Sequence, residues 1–220
     1  MLPHSNRQLP FELLRASDRD SIIESHLEKY LPPLGLSSVG PRTWIDDSRP
    51  PAKRMFELTL LKGAQLRARW GFSLDFVPHI SNGQIRWHRS RKTARLDVLI
   101  EPNAKVVPQM SFLQGAVGLQ HDLSALLPAA VGMLKETWRR GQTEAGMLEI
   151  LREIRDSHTN VFPFEMYSQL PLTYALLCAR LGDLNSAESE LDRYISRRRL
   201  QPEVALKLKE LVREHGQYKT

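Results

Sequence analysis

Apolar and polar positions alternate most regularly over residues 65–77, QLRARWGFSLDFV. Leu66, Ala68, Trp70, Phe72, Leu74 and Phe76 share one parity; Gln65, Arg67, Arg69, Gly71, Ser73 and Asp75 share the other. Strand side chains point alternately to opposite faces, so the pattern predicts a long central strand with one buried and one charged face. A helical spacing of three and four does not fit it. The strand is expected to continue to Ile80 through Pro78, whose missing N–H calls for a bulge or a sheet edge.

The flanking patterns build outward from this strand. Ile22, Ile23, Leu27, Tyr30 and Leu31 form the stripe of an amphipathic helix, capped by Ser17 or Asp18 and stopped by Pro32 and Pro33. Strands are expected over 42–45 and 54–61, the second carrying Phe56, Leu58 and Leu60 on one parity. Asn82-Gly83 is a hairpin signal, since both residues tolerate positive φ; it places a fourth strand over 84–89. A fifth, over 95–100, has Leu96, Val98 and Ile100 on one parity.

After Asn103 the period becomes helical. Helices are expected over 124–140 with Pro128 near the start, over 144–154 after a Thr143 cap, and over 170–181. Asn185 with Glu188 reads as the capping-box start of another, and Pro202 and Gly216 bracket the last. Strands followed by helices predict an α+β fold: an N-terminal helix on a five-stranded antiparallel meander, continued by a C-terminal helical bundle. The expected division is a sheet domain over 1–105 and a helical domain or subdomain over 106–220.

Composition refines this picture. The 220 residues are 41% hydrophobic and 25% charged, ordinary for a globular chain that buries a core. A net charge of +6 and a pI near 9.6 favour an acidic partner: nucleic acid, an anionic protein surface or a membrane surface. Cys178 is the one cysteine, which excludes an internal disulfide and a cysteine-based zinc site and suits a reducing cytoplasm. No apolar run is long enough for a bilayer span, and MLPHSNRQLPFELLR lacks the core of a secretory signal. The expectation is a soluble cytoplasmic protein without a membrane partner; its oligomeric state is left open.

Candidate chemistry collects on the polar parity. With a two-residue turn at Asn82-Gly83, Ile80 faces Ile85, His79 faces Arg86 and Val77 faces His88. Asp75, His79, Arg86 and His88 would then share a face with Arg67 and Arg69, and Asp97 could join them. Imidazole beside carboxylate can move protons or hold a metal, which makes Asp75, His79, His88 and Asp97 the residues of an enzyme reading. The plainer reading is a solvated, ion-paired sheet face. RWHRSRKTAR, residues 86–95, contains no acid; Trp87 shares the parity of Ile85 and is expected to pack inward, leaving an electrostatic loop. Arg193, Arg197, Arg198 and Arg199 read as cations at a helix C-terminus. Cys178 sits on an apolar stripe, as a core residue does. The chain contains no phosphate-binding loop, dinucleotide fingerprint, HExxH or GxSxG.

Two resemblances follow from residues. Ala175, Ala179, Leu181-Gly182-Asp183 and Ala187 make residues 174–195 resemble one tetratricopeptide-type helical hairpin; a single unit implies a piece of a bundle, since arrays stack three or more. LPPLGLSSVGPRTWI, RARWGFSLDFVPHI and RWHRS make the first half similar to bacterial α+β domains that recur among immunity proteins of interbacterial toxin systems. That resemblance implies binding, with no catalytic residues to carry over. The function expected is therefore a non-enzymatic module, without cofactor or metal, that binds an acidic protein such as a cognate toxin and neutralises it by occlusion. Arg67, Arg69, Arg86, His88, Arg89, Arg91 and Lys92 are its candidate contacts. Nucleic-acid binding through 86–95 is the alternative.

Overall fold

Helix α1 (Ala16–Tyr30) buries Ile23 and Leu27 and ends where Pro32 and Pro33 forbid its continuation. The computed structural model describes residues 14–157 and 160–217; the segment read for a secretory signal lies mostly outside them. The N-cap is Arg15, with no side-chain cap bond, so the helix begins before the Ser17 or Asp18 start expected from composition.

The sheet has β1 (Ser37–Gly40), β2 (Thr43–Asp46), β3 (Ala52–Leu61), β4 (Gln65–Leu74), β7 (Val98–Ile100) and β8 (Met110–Ser111). Between β4 and β7 the chain forms a separate hairpin of β5 (His79–Ser81) and β6 (Gln84–Arg86). The main sheet runs β1-β2-β3-β4-β7, all antiparallel, with β8 pairing the Gln65 end of β4. The longest ladder joins β3 to β4 in register from Ala52↔Leu74 to Leu61↔Gln65. The fold is α+β, as the strand-then-helix order predicts.

Several boundaries differ from the periodicity. β1 lies in a stretch without alternation. β4 ends at Leu74, because Val77 N–H turns back to the Leu74 carbonyl and Pro78 has no N–H to extend a ladder. Trp70 and Phe72 pair with Ile100 and Val98 of β7, not with the fourth strand expected after the hairpin.

The helical half comprises α2 (Gly115–Arg140), α3 (Glu144–Ser157), α4 (Leu170–Arg180), α5 (Leu184–Arg198) and α6 (Pro202–Gln217). α2 starts nine residues before the expected 124, which places Pro128 inside the helix. The α5 cap is Asp183, accepting from Ser186 N–H at 3.1 Å, in place of the expected Asn185. Thr143 does accept from Gly146 N–H, at 3.1 Å. Gly216 lies within α6, where its missing side chain lets Leu184 approach.

α2 is fastened to β4 by two indoles: Trp70 Nε1 donates to Thr137 Oγ1 at 3.0 Å, and Trp138 Nε1 donates to the Gly71 carbonyl at 3.2 Å. One buried cluster runs from Ile23 and Leu27 through Trp70 and Phe72 to Leu134, Leu176 and Leu208. It spans the expected 105/106 boundary, and β8 beyond that boundary returns to β4. Ala175, Ala179 and Ala187 are fully buried where α4 and α5 pack, and α6 packs on both. Among the described residues no helix is long and apolar enough to cross a membrane.

Candidate functional site

The segment between β4 and β7 is a hairpin followed by a loop pinned at several points. Asn82 and Gly83 have φ of 51° and 68°, the left-handed values that a tight primed turn requires. The register is as expected: His79↔Arg86, Ile80↔Ile85 and Ser81↔Gln84. The hairpin is its own two-stranded sheet, so His79 and Arg86 do not share a sheet face with Arg67 and Arg69.

His88 sets the path of the loop. It is 1% exposed, and its Nε2 lies 2.9 Å from Asp97 Oδ2. Asp97 is fully buried and also accepts from Leu74 N–H at 2.6 Å and Gln169 Nε2 at 2.9 Å. Burial pushes the Asp97 carboxyl above its ordinary value, against these hydrogen bonds, which favour the carboxylate. A buried group is no surface contact, so His88 leaves the set of candidate contacts and becomes the peg of the loop.

The peg turns its neighbours outward. β6 ends at Arg86, so parity inherited from Ile85 no longer applies. With His88 inside, Trp87 is 40% exposed, which corrects the expected inward packing. The Arg89 guanidinium lies 4.2 Å from the Trp87 ring centroid, a cation–π contact, and its Nε donates to the Asp75 carbonyl at 3.1 Å. Arg91 reaches Asp47 at 2.6 Å and also bonds Ser37, tying the loop to the β1–β2 edge. Ser90 and Thr93 close the intervening turn with a reciprocal capping box. The Arg86 guanidinium is exposed and donates to Gln84 Oε1 at 3.0 Å; Lys92 is exposed with no partner among the described residues. Arg86, Trp87, Arg89 and Lys92 point outward together, and Arg95 further along the run is exposed as well.

The other candidates are neutralised. Arg67 pairs with the buried Glu101 at 2.9 Å, and Glu101 accepts from Tyr167 Oη at 2.9 Å. Burial, then the adjacent Glu101 charge, pushes the Tyr167 phenol well above its ordinary value. Arg69 pairs with Glu57 at 2.6 Å, and Lys53 pairs with Asp75. Glu57 is a β3 residue directly opposite Arg69 in the ladder, a cross-strand signal readable from a correct 62–64 turn. Glu101 and Tyr167 carried no such signal.

The residues of the enzyme reading are only partly gathered. His79 and His88 have ring centroids 5.5 Å apart, and Asp97 joins His88, but Asp75 is engaged by Lys53. Among the described residues no group of three or more His, Cys, Asp or Glu is placed to hold a metal ion. The His88–Asp97 dyad is sealed from solvent, and burial pushes the buried Cys178 thiol up to about 11.

Burial, then the Arg95 guanidinium, with His88 and Arg86 close by, holds the His79 imidazole below its ordinary 6.5. The folded state thus binds fewer protons than the unfolded one as pH falls through 6.5. The His79 contribution is whole above that pH and is lost on acidification through its folded value. Urea unfolding of wild type and His79→Gln at pH 7 and pH 5 checks this: the wild-type advantage is expected to shrink at pH 5. A pH-independent difference would contradict it.

Comparison of the chain with protein families, with curated proteins and with solved structures finds no match.

Proposed function

We propose that the chain is a non-enzymatic binding protein that recognises an acidic protein surface through Arg86, Trp87, Arg89 and Lys92. The observation that carries this reading is the exposed Trp87 ring with Arg89 stacked on it, inside a ten-residue run, 86–95, without an acid. Tryptophan and arginine are the residues most enriched at interface hot spots. Their loop is held by His88–Asp97, Arg89–Asp75 and Arg91–Asp47, so little ordering is needed when a partner arrives. The surrounding cations favour fast, selective encounter with an acidic patch. Occlusion of a toxin is the specific form of this reading; it rests on the resemblance of the first half to immunity-type domains.

Nucleic acid is the second reading, and one observation favours it. An exposed indole beside guanidiniums is a platform on which a base can stack. Capture from a nuclease-treated extract of the producing cells separates the two. Wild type is expected to retain a protein, and the R86E/R89E/K92E variant is expected to lose it, weakened by at least about 2 kcal/mol. Capture abolished by nuclease would transfer the site to nucleic acid. Equal retention by both forms would remove these residues from the interface.

A further inference from the structure

A cleft opens between residues 49–52 and the α2–α3 junction. Its deep part, about 330 Å³, has Phe72, Leu74, Phe76, Trp138 and Met147 as apolar walls. A shallower part of about 270 Å³ shares Arg49, Arg54, Trp138 and Gln142 with it and adds Lys135. Gly141 forms part of the wall; a side chain there would run into the Phe72 ring, so the junction sits directly on the sheet. The deep part falls in the size range of small-ligand sites, which are apolar with a few placed polar groups.

The charges around the cleft differ in availability. Arg54 is spent on Asp46 and lies 5.0 Å from the Trp138 ring centroid. Glu144 is answered by Arg180 at 2.6 Å, and Arg139 by Glu136 at 2.6 Å. Arg49 and Lys135 are exposed and have no partner among the described residues. The cleft therefore joins an apolar interior to a mouth with two uncompensated cations. A cation would be repelled at that mouth, whereas an anion would be drawn to it.

We propose that this cleft binds a small amphipathic anion, an acyl or aryl carboxylate. Its apolar body lies against Phe72, Phe76 and Met147, and its carboxylate meets Arg49 and Lys135. The test uses octanoate and 1-octanol as probes of equal chain length, titrated into the full chain and followed by amide chemical shifts. Wild type is expected to show saturable shifts confined to 49–54, 72–76 and 135–147, with octanoate the tighter ligand. R49Q/K135Q, which alters exposed side chains only, is expected to weaken octanoate about tenfold or more while leaving 1-octanol unchanged. M147W, which fills the deep part, is expected to abolish binding of both. Absence of saturable shifts, equal affinity of the two probes for wild type, or octanoate binding unaffected by R49Q/K135Q would overturn the proposal.

Discussion

Asp97→Ala is expected to cost about 3–5 kcal/mol of folding free energy, the range for removing one partner of a buried, hydrogen-bonded charge site. The carboxyl is fully buried and its two oxygens hold His88 Nε2, Leu74 N–H and Gln169 Nε2. Alanine leaves all of these donors facing an apolar hole, and unmet buried polar groups cost about 1–3 kcal/mol each. Asp97→Asn keeps one acceptor oxygen and is expected to fall between. Urea unfolding at pH 7 measures both. A loss under about 1 kcal/mol for the alanine variant would show that the dyad does not anchor the loop. Asp97 joins the end of β4, the loop and the start of α4, so hydrogen exchange over 86–95 is expected to quicken in the same variant.

Gly71→Ala is the second large effect. Gly71 has φ of 146°, a positive value that side chains rarely adopt, and it pairs with Leu99 at the β4–β7 junction. A methyl there would lie 1.8 Å from the Val98 carbonyl oxygen and 2.9 Å from its carbon. β7 would have to move, and it is part of the main sheet immediately after Asp97. Backbone strain and overpacking together give an expected loss of about 2–6 kcal/mol. Gly40→Ala is the control, since nothing lies within 4 Å of its added carbon. Calorimetric melting of the two variants decides the matter: equal melting temperatures would contradict the close approach seen at Gly71.

Much of the architecture was readable because local pattern and tertiary packing agree. The β3–β4 ladder, the Asn82-Gly83 register and the order of strands then helices follow from period and turn chemistry. β1 carries no sequence signal, because Ser37 to Gly40 has no alternation to read. Periodicity overextends the Gln65 strand because Phe76 and Val77 continue the apolar run while the chain turns there and buries both in the core. The first turns of α2 are hidden in the sequence, because Gly115 to Asp122 lacks a cap signal and a clean stripe.

The site was half legible for a physical reason. Arg86, Arg89 and Lys92 remain outward as read, but Arg67 is neutralised by Glu101, a partner 34 residues away that no local pattern reveals. Trp87 and His88 exchanged roles. Strand parity assigns the inside to the indole, whereas a buried carboxyl at Asp97 gives the imidazole the stronger claim on the interior. The long strand therefore contributes core residues and the Leu74 N–H that helps hold Asp97, while the exposed chemistry belongs to the loop beyond it.

The most direct measurement places a benzophenone amino acid at position 87 and, as control, at Leu206 on α6, which is 57% exposed. After irradiation in the producing cells, the account predicts a discrete adduct between position 87 and an acidic protein, absent from position 206. An adduct to nucleic acid, or a yield at 87 no greater than at 206, would contradict it.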